Sequence, residues 1–400
     1  LISGKLVNDK KNINIKLLND LFGNNFKDYD IEDIKFSSDN DFNFNLNKKF
    51  KISNFNLKSK IDLNRLVYKS KFLNIKNYLP DFKNSIKLEN HIISINYKKD
   101  QINIDGKGKI TVNDKANILD YKINRKKEKY FFDTNINIDK DLILLESLQY
   151  EKKENVNSLL TLKGTFKKNK YINFELISFT ENKNFFLIKN LDLDNNFNIL
   201  DIEKVNFNYV NKNNITNQID LNKVKSDYQI SGSSFDASKL IDEILNGEQD
   251  DNSSSIFNNF DTNLDIKIDK AYLDKTTFVN NLNGIVRFKK DKIVKLNLKS
   301  IFPNNEKLTL TIDTNKDNEK VTTLFSSYPK PLVQQYKFIK GFEDGVLDFY
   351  SIKKNNISNS VLKIDNFKLQ EIPVLAKILT LASLQGIADL LTGEGIRFTD

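Results

Sequence analysis

The chain contains no cysteine, no methionine and no tryptophan, and a single histidine, His91. Disulfides, thiol nucleophiles, cysteine zinc sites, haem-attachment motifs and any reaction needing two histidines are therefore excluded. No window of about 19 residues is both apolar and uncharged, so no segment reads as a membrane span or a signal peptide. Arginine is almost missing as well: among 62 basic residues only Arg65, Arg125, Arg287 and Arg397 are not lysine. Nucleic-acid binders favour arginine and cluster it on one face. Here lysine is interleaved with Asp, Glu and Asn, so the net charge of +9 reads as a solvated surface and no nucleic-acid partner is expected. With 39% apolar residues, the 400-residue chain is too apolar for wholesale disorder and too polar for a polytopic membrane protein. It opens on Leu1 and stops at Asp400, just after Ile396-Arg397-Phe398, which reads as an internal piece of a longer protein.

What is present is period-two alternation. Asp41-Phe42-Asn43-Phe44-Asn45-Leu46 puts Phe42, Phe44 and Leu46 on one side of a strand, because successive Cβ atoms point to opposite faces. The pattern recurs at Ile102 and Ile104; Ile136 and Ile138; Leu264, Ile266 and Ile268; Val294, Leu296 and Leu298; Leu308, Leu310 and Ile312; and Leu362 and Ile364. The breaks between these runs are short and polar, as in Asn113-Asp114-Lys115, and connections that short join antiparallel neighbours. The expected fold is mainly β, a long meander. The apolar strand faces meet each other in a sandwich or line an open groove, and the alternation alone does not separate the two.

Three segments read as helix. Phe235 to Gly247 has Asp236 in N-cap position, apolar residues at Leu240, Ile241, Ile244 and Leu245, and a closing glycine. The charged stretch that follows, over 247–256, reads as an exposed loop dividing an N-terminal part (1–246) from a C-terminal one (257–400). Pro331 to Ile339 forms a second short helix. The longest follows Pro373, over 373–391: Val374, Leu375, Ile378, Leu379, Leu381, Ala382, Leu384, Ile387, Ala388, Leu390 and Leu391 cover most of its circumference, leaving Lys377, Gln385 and Asp389 on the remaining side. So wide a stripe is buried, either over the end of its own sheet or against lipid or a partner.

Motifs for chemistry are scarce. Asp313 to Asn318 imitates a calcium loop, but Asn318 replaces its turn glycine and Leu324 its bidentate glutamate, so it reads as a hairpin turn. Gly106-Lys107-Gly108 sits inside a strand and marks a bulge or a close backbone approach. His91 reads as a strand-start residue with no catalytic role, and no pair among the acidic residues stands out. No enzymatic activity, cofactor or metal is expected.

The C-terminal region carries a resemblance. Ser327-Tyr328-Pro329, Gly345-Val346-Leu347-Asp348-Phe349 and Val361 to Leu369 lead into Pro373-Val374-Leu375-Ala376, Leu381-Ala382-Ser383, Gly386-Ile387 and Gly393-Glu394-Gly395-Ile396-Arg397-Phe398. This order resembles the C-terminal region of the AsmA-like proteins, of the YhdP type, and Ser231 to Ala237 resembles the family's strand-to-helix junction. Residues 1 to about 220 match only in their repetitive strands. The family's Gly-Gly ahead of Val346 is loosened here to Gly341-Phe342-Glu343-Asp344-Gly345. The resemblance implies a long sheet folded lengthwise into an apolar groove (a β-taco), in the periplasm of a Gram-negative cell. It implies anchorage to the inner membrane by a helix outside this chain, and passage of phospholipids along the groove to the outer membrane. The groove candidates are Phe42, Phe44, Leu46, Ile102, Ile104, Ile136, Ile138, Leu264, Ile266, Ile268, Leu296, Leu298, Leu308, Leu310, Ile312, Leu362 and Ile364. The 373–391 helix would cover the groove end or face a membrane. The rival reading is a structural or assembly protein that binds another polypeptide at a sheet edge.

Overall fold

A computed structural model describes residues 1–12, 30–69, 76–112, 114–167, 170–195, 197–241, 261–289, 292–317, 319–335, 341–354, 357–369 and 396–398. Among the described residues the fold is mainly β, a twisted and mostly antiparallel sheet that does not close into a barrel. The chain divides into two compact units, 1–216 and 217–400, a division that falls some way before the expected loop at 247–256.

The first unit holds β1 (Ile2–Asn12), β2 (Asp30–Leu46), β3 (Ile52–Lys69), β4 (Ser85–Lys98), β5 (Gln101–Thr111), β6 (Ala116–Lys126), β7 (Lys129–Asn137), β8 (Ile143–Leu145), β9 (Tyr150–Lys152), β10 (Ser158–Lys167), β11 (Tyr171–Glu181), β12 (Asn184–Leu193) and β13 (Ile199–Val210). Each strand pairs antiparallel with the next, as the short turns require, except that β7 pairs with β10 and the small β8–β9 hairpin stands apart. Register shifts interrupt the ladders at several points, and bulges of this kind raise the local twist and bend a sheet. Left-handed backbone at such points needs a tolerant residue, and Asn54, Asn90 and Asn190 supply it in a chain poor in glycine.

The second unit begins inside β14 (Thr216–Val224) and continues with β15 (Asp227–Asp236), β16 (Thr262–Tyr272), β17 (Phe278–Lys289), β18 (Lys292–Ile301), β19 (Lys307–Thr314), β20 (Lys320–Ser326), helix α1 (Lys330–Gln335), β21 (Phe342–Lys354), β22 (Ile357–Leu369) and β23 (Ile396–Phe398). The expected all-antiparallel order fails once: β15 and β16 are parallel, Ile230 opposite Ile266. The segment joining them is long enough for a crossover, which a short turn is not. Asp236 caps the helical turn at its start, its carboxylate accepting from the Ser238 amide at 3.1 Å and hydroxyl at 2.6 Å. Residues 242–246 of that expected helix lie outside the described residues. Helix α1 starts at Lys330, and the expected extension to Ile339 passes beyond Gln335 into undescribed residues. The whole 373–391 segment, with Val374, Leu375, Ile378, Leu379, Leu381, Ala382, Ile387 and Leu390, lies outside them too.

Candidate apolar face

Register decides which side chains share a face, since directly paired residues point the same way. In the first unit Ile95, Ile104, Ile123, Phe132, Gly164, Phe174, Leu191 and Ile202 form one unbroken row from β4 to β13. Two residues along β4 to β10, and three along β11 to β13, lies a second row, Ile61, Ile93, Gly106, Tyr121, Thr134, Leu162, Ile177, Ile188 and Val205. On the other side of the first row, Phe42, Leu57, Tyr97, Ile102, Arg125, Tyr130, Phe166, Ile172 and Leu193 make a third. Most of these side chains are half-buried. The opposite face is polar: Lys60, Ser94, Asp105, Lys122, Asp133 and Lys163 stand in register, with Lys163 Nζ 2.9 Å from Asp133 Oδ2.

The face is closed by protein at one end. Leu160, Phe179, Phe186 and Phe207 are covered by the β8–β9 hairpin, whose Tyr150 ring meets Phe186 at 4.7 Å and Tyr209 at 5.7 Å, edge-on. The Tyr150 hydroxyl donates to Glu181 Oε2 at 2.7 Å, and burial, then that hydrogen bond, raises its pKa. At the hairpin's base the fully buried Lys152 ammonium donates to the Asp139 and Asp141 carbonyls at 2.8 and 2.7 Å. Burial lowers its pKa, against the raising effect of Asp141 and Asp139. Lys152→Met keeps the apolar stem but strands two buried acceptors, and should cost about 3 kcal/mol in urea unfolding.

Gly106 and Gly108 mark a close approach, as the sequence suggested: a Cβ on either would overlap the Tyr121 ring or His91. His91 is a correction. It lies within β4 and not at its start, next to the bulge at Asn90 with φ of 54°, and on the same face as Ile93 and Ile95 its ring lies over Gly108, where it is fully buried. Its Nε2 donates to the Lys109 carbonyl at 2.9 Å, and burial lowers its pKa despite that bond. Its folded pKa is thus below the 6.5 of the unfolded side chain, so its contribution to stability is complete above that pH and is lost as pH falls through the folded value. His91→Phe should flatten the acid limb of a stability profile measured by urea unfolding from about pH 4 to 7.

In the second unit Leu221, Ile230, Ile266, Gly284, Leu298, Leu310, Leu324, Phe349 and Leu362 form the corresponding row across β14 to β22. Beside it Tyr228, Leu264, Val286, Leu296 and Ile312 are buried. At another edge α1 packs Val333 against Phe342, Leu347 and Leu369.

The sequence-derived candidates thus fall into two sets. Phe42, Ile102, Ile104 and Ile136 share the first unit's face, and Phe44 joins them through its contact with Phe42, ring centroids 6.1 Å apart. Ile138 follows β7, its amide bonded to the Ser158 carbonyl at 3.0 Å, and Leu46 lies exposed beside the tip of the β2–β3 hairpin. Leu264, Ile266, Ile268, Leu296, Leu298, Leu308, Leu310, Ile312, Leu362 and Ile364 share the second unit's face, where Leu264, Ile268, Leu296 and Ile312 are buried and Leu362 is exposed. Sequence reading missed the covering hairpin, whose run Leu142 to Leu145 does not alternate. Asp313 to Thr314 do lead into a hairpin turn, Asn315 Oδ1 accepting from the Glu319 amide at 2.9 Å. Among the described residues no group of acidic or histidine side chains could hold a metal ion, and no helix is long and apolar enough to cross a membrane. Comparisons with protein-family models, curated proteins and solved structures find no match to this chain.

Proposed function

We propose that the chain is a non-enzymatic carrier of phospholipids, sheltering their acyl chains on the apolar faces of its units. The observation that carries this is the row from Ile95 to Ile202, which runs across the first unit's strands with no charged member and with half-buried apolar side chains throughout, except at Gly164 and the buried Leu191. Contiguous apolar surface of this extent is unusual on a monomer with nothing to bind. Two acyl chains carry some thirty methylene and methyl groups at about 0.8 kcal/mol each, so water exposure costs on the order of 20 kcal/mol or more. Burial without direction relieves that cost with no specialised residue, in keeping with the scarcity of motifs. The resemblance to AsmA-like proteins supplies the setting: the periplasm, inner-membrane anchorage through a segment outside this chain, and delivery toward the outer membrane, supporting its lipid balance.

Native mass spectrometry of the purified chain tests the proposal. Bound phospholipid that survives detergent-free purification is expected, and a chain that purifies bare and takes up no lipid from vesicles overturns it. One observation favours the rival, a structural or assembly protein: β22 from Ile357 to Asn366 pairs only with β21 among the described residues, and Ile357 and Leu362 are 69% and 56% exposed there. An open apolar edge can accept a strand of another polypeptide. Capture of a peptide at that edge by a lipid-free chain would favour assembly.

A further inference from the structure

One cation stands on the first unit's apolar face. Arg125 is the only charged member of its three rows, in register between Ile102 and Tyr130. Among the described residues no ion pair or hydrogen bond joins its guanidinium, and Nε is buried without a partner. The acids on either side along the chain are engaged elsewhere, Asp120 with Lys107 at 3.8 Å and Glu128 with Lys167 at 2.5 Å. The guanidinium meets the Tyr130 ring, Cζ 6.0 Å from its centroid, a distance at the limit of a cation–π contact and one that fills no N–H. By contrast Arg65 Nε lies 3.2 Å from Asp33 Oδ2. A methionine would cover the same apolar surface without leaving donors unfilled, so folding gives no reason for a cation here.

Its place on the face says what it binds. Arg125 sits one residue from the end of β6, in a row that also holds the half-buried Tyr97 and Tyr130, amphipathic rings suited to a boundary between apolar surface and water. Inward from it along β6 lie Ile123 and Tyr121 of the other two rows, then the buried Leu119, in line with Leu160 and Phe179 at the end closed by the β8–β9 hairpin. From Arg125 to Leu119 the strand advances six residues, about 20 Å at 3.3 Å per residue. One acyl chain spans about 15 Å of a bilayer, half of its hydrocarbon core, and so fits between the cation and the closed end. In a chain whose cations are nearly all lysine, this one is a guanidinium, whose planar fork matches a phosphate and whose weak hydration suits an apolar border.

We infer that Arg125 is a head-group site: it holds the phosphate of a bound phospholipid while the acyl chains lie along the apolar rows toward the β8–β9 hairpin. The inference rests on the carrier reading and adds to it a fixed orientation of the lipid and a preference for an anionic head.

The test offers the chain vesicles holding equal amounts of a phosphatidylglycerol and of the diacylglycerol with the same acyl chains, then repurifies it and measures the lipid it has taken up. The natural chain should favour the phosphatidylglycerol roughly tenfold, the effect of a charge-assisted hydrogen-bonded pair. Arg125→Met keeps the side-chain stem and should take up both lipids alike, with circular dichroism unchanged. Lys126→Met removes the same charge one residue on, from an exposed side chain on the opposite face, and should keep the preference. Glycerol 3-phosphate, the head without the chains, should not displace the phosphatidylglycerol at equal concentration. A preference that survives Arg125→Met, one lost equally in Lys126→Met, or displacement by glycerol 3-phosphate overturns the inference. The two proposals fail differently: a natural chain that takes up both lipids equally refutes the head-group site alone, and one that takes up neither refutes the carrier reading and the site with it.

Discussion

Ile104→Asp should leave the sheet folded and the chain without bound phospholipid. Ile104 stands between Ile95 and Ile123 in register, with apolar residues two positions away on each side of the row. An aspartate there finds no cation paired with it across either ladder, and a carboxylate held against acyl chains costs several kcal/mol. At about 3 kcal/mol, retention falls roughly a hundredfold. Folding suffers less, because Ile104 is only half-buried and an empty face leaves the carboxylate in contact with water. Asn103→Asp is the matched control. It adds the same charge one residue earlier, on the opposite face, between Asn96 and Asn124. Lipid measured by mass spectrometry should disappear from the first variant and persist in the second, with circular dichroism unchanged in both. Equal retention, or equal loss, would mean that lipid does not lie along this row.

How far this surface could be read from sequence follows from what alternation encodes. Phe42-Asn43-Phe44 and Ile102-Asn103-Ile104 announce a strand and its two faces because the period is local. Strand direction is not local, so the parallel pairing of Ile230 with Ile266 left no trace in either strand. The inward place of His91 follows from the same period, since counting by twos from Ile95 and Ile93 reaches it, whereas the bulge at Asn90 beside it depends on the ladder and is not local. Abundant asparagine looked like compositional bias, yet Asn54, Asn90, Asn214 and Asn305 stand where the backbone turns left-handed. The Gly106-Lys107-Gly108 signal was legible because glycine inside a strand has few other uses.

The closed end of the face depends on one ring that sequence reading gave no reason to choose. Tyr150→Ala should cost about 4 kcal/mol, the range for deleting a fully enclosed aromatic side chain. Tyr150 is 1% exposed, its ring lies edge-on to Phe179, Phe186 and Tyr209, and its hydroxyl closes on Glu181. Removing all of this empties a site that the short β8–β9 hairpin cannot refill, since only three residues on each side hold it together. Tyr150→Phe keeps the ring and loses one hydrogen bond. Glu181 still accepts from the Asn184 side chain at 2.6 Å and from that of Asn182 at 3.0 Å, so the cost should be about 1 kcal/mol. Urea unfolding gives the two costs, and hydrogen exchange shows where they fall: amides of β11 and β12 around Phe179 and Phe186 should lose protection in Tyr150→Ala before those around Ile104 do. If the alanine variant is no less stable than the phenylalanine one, the hairpin merely rests on the sheet, and the closure of that end belongs to the sheet's own side chains.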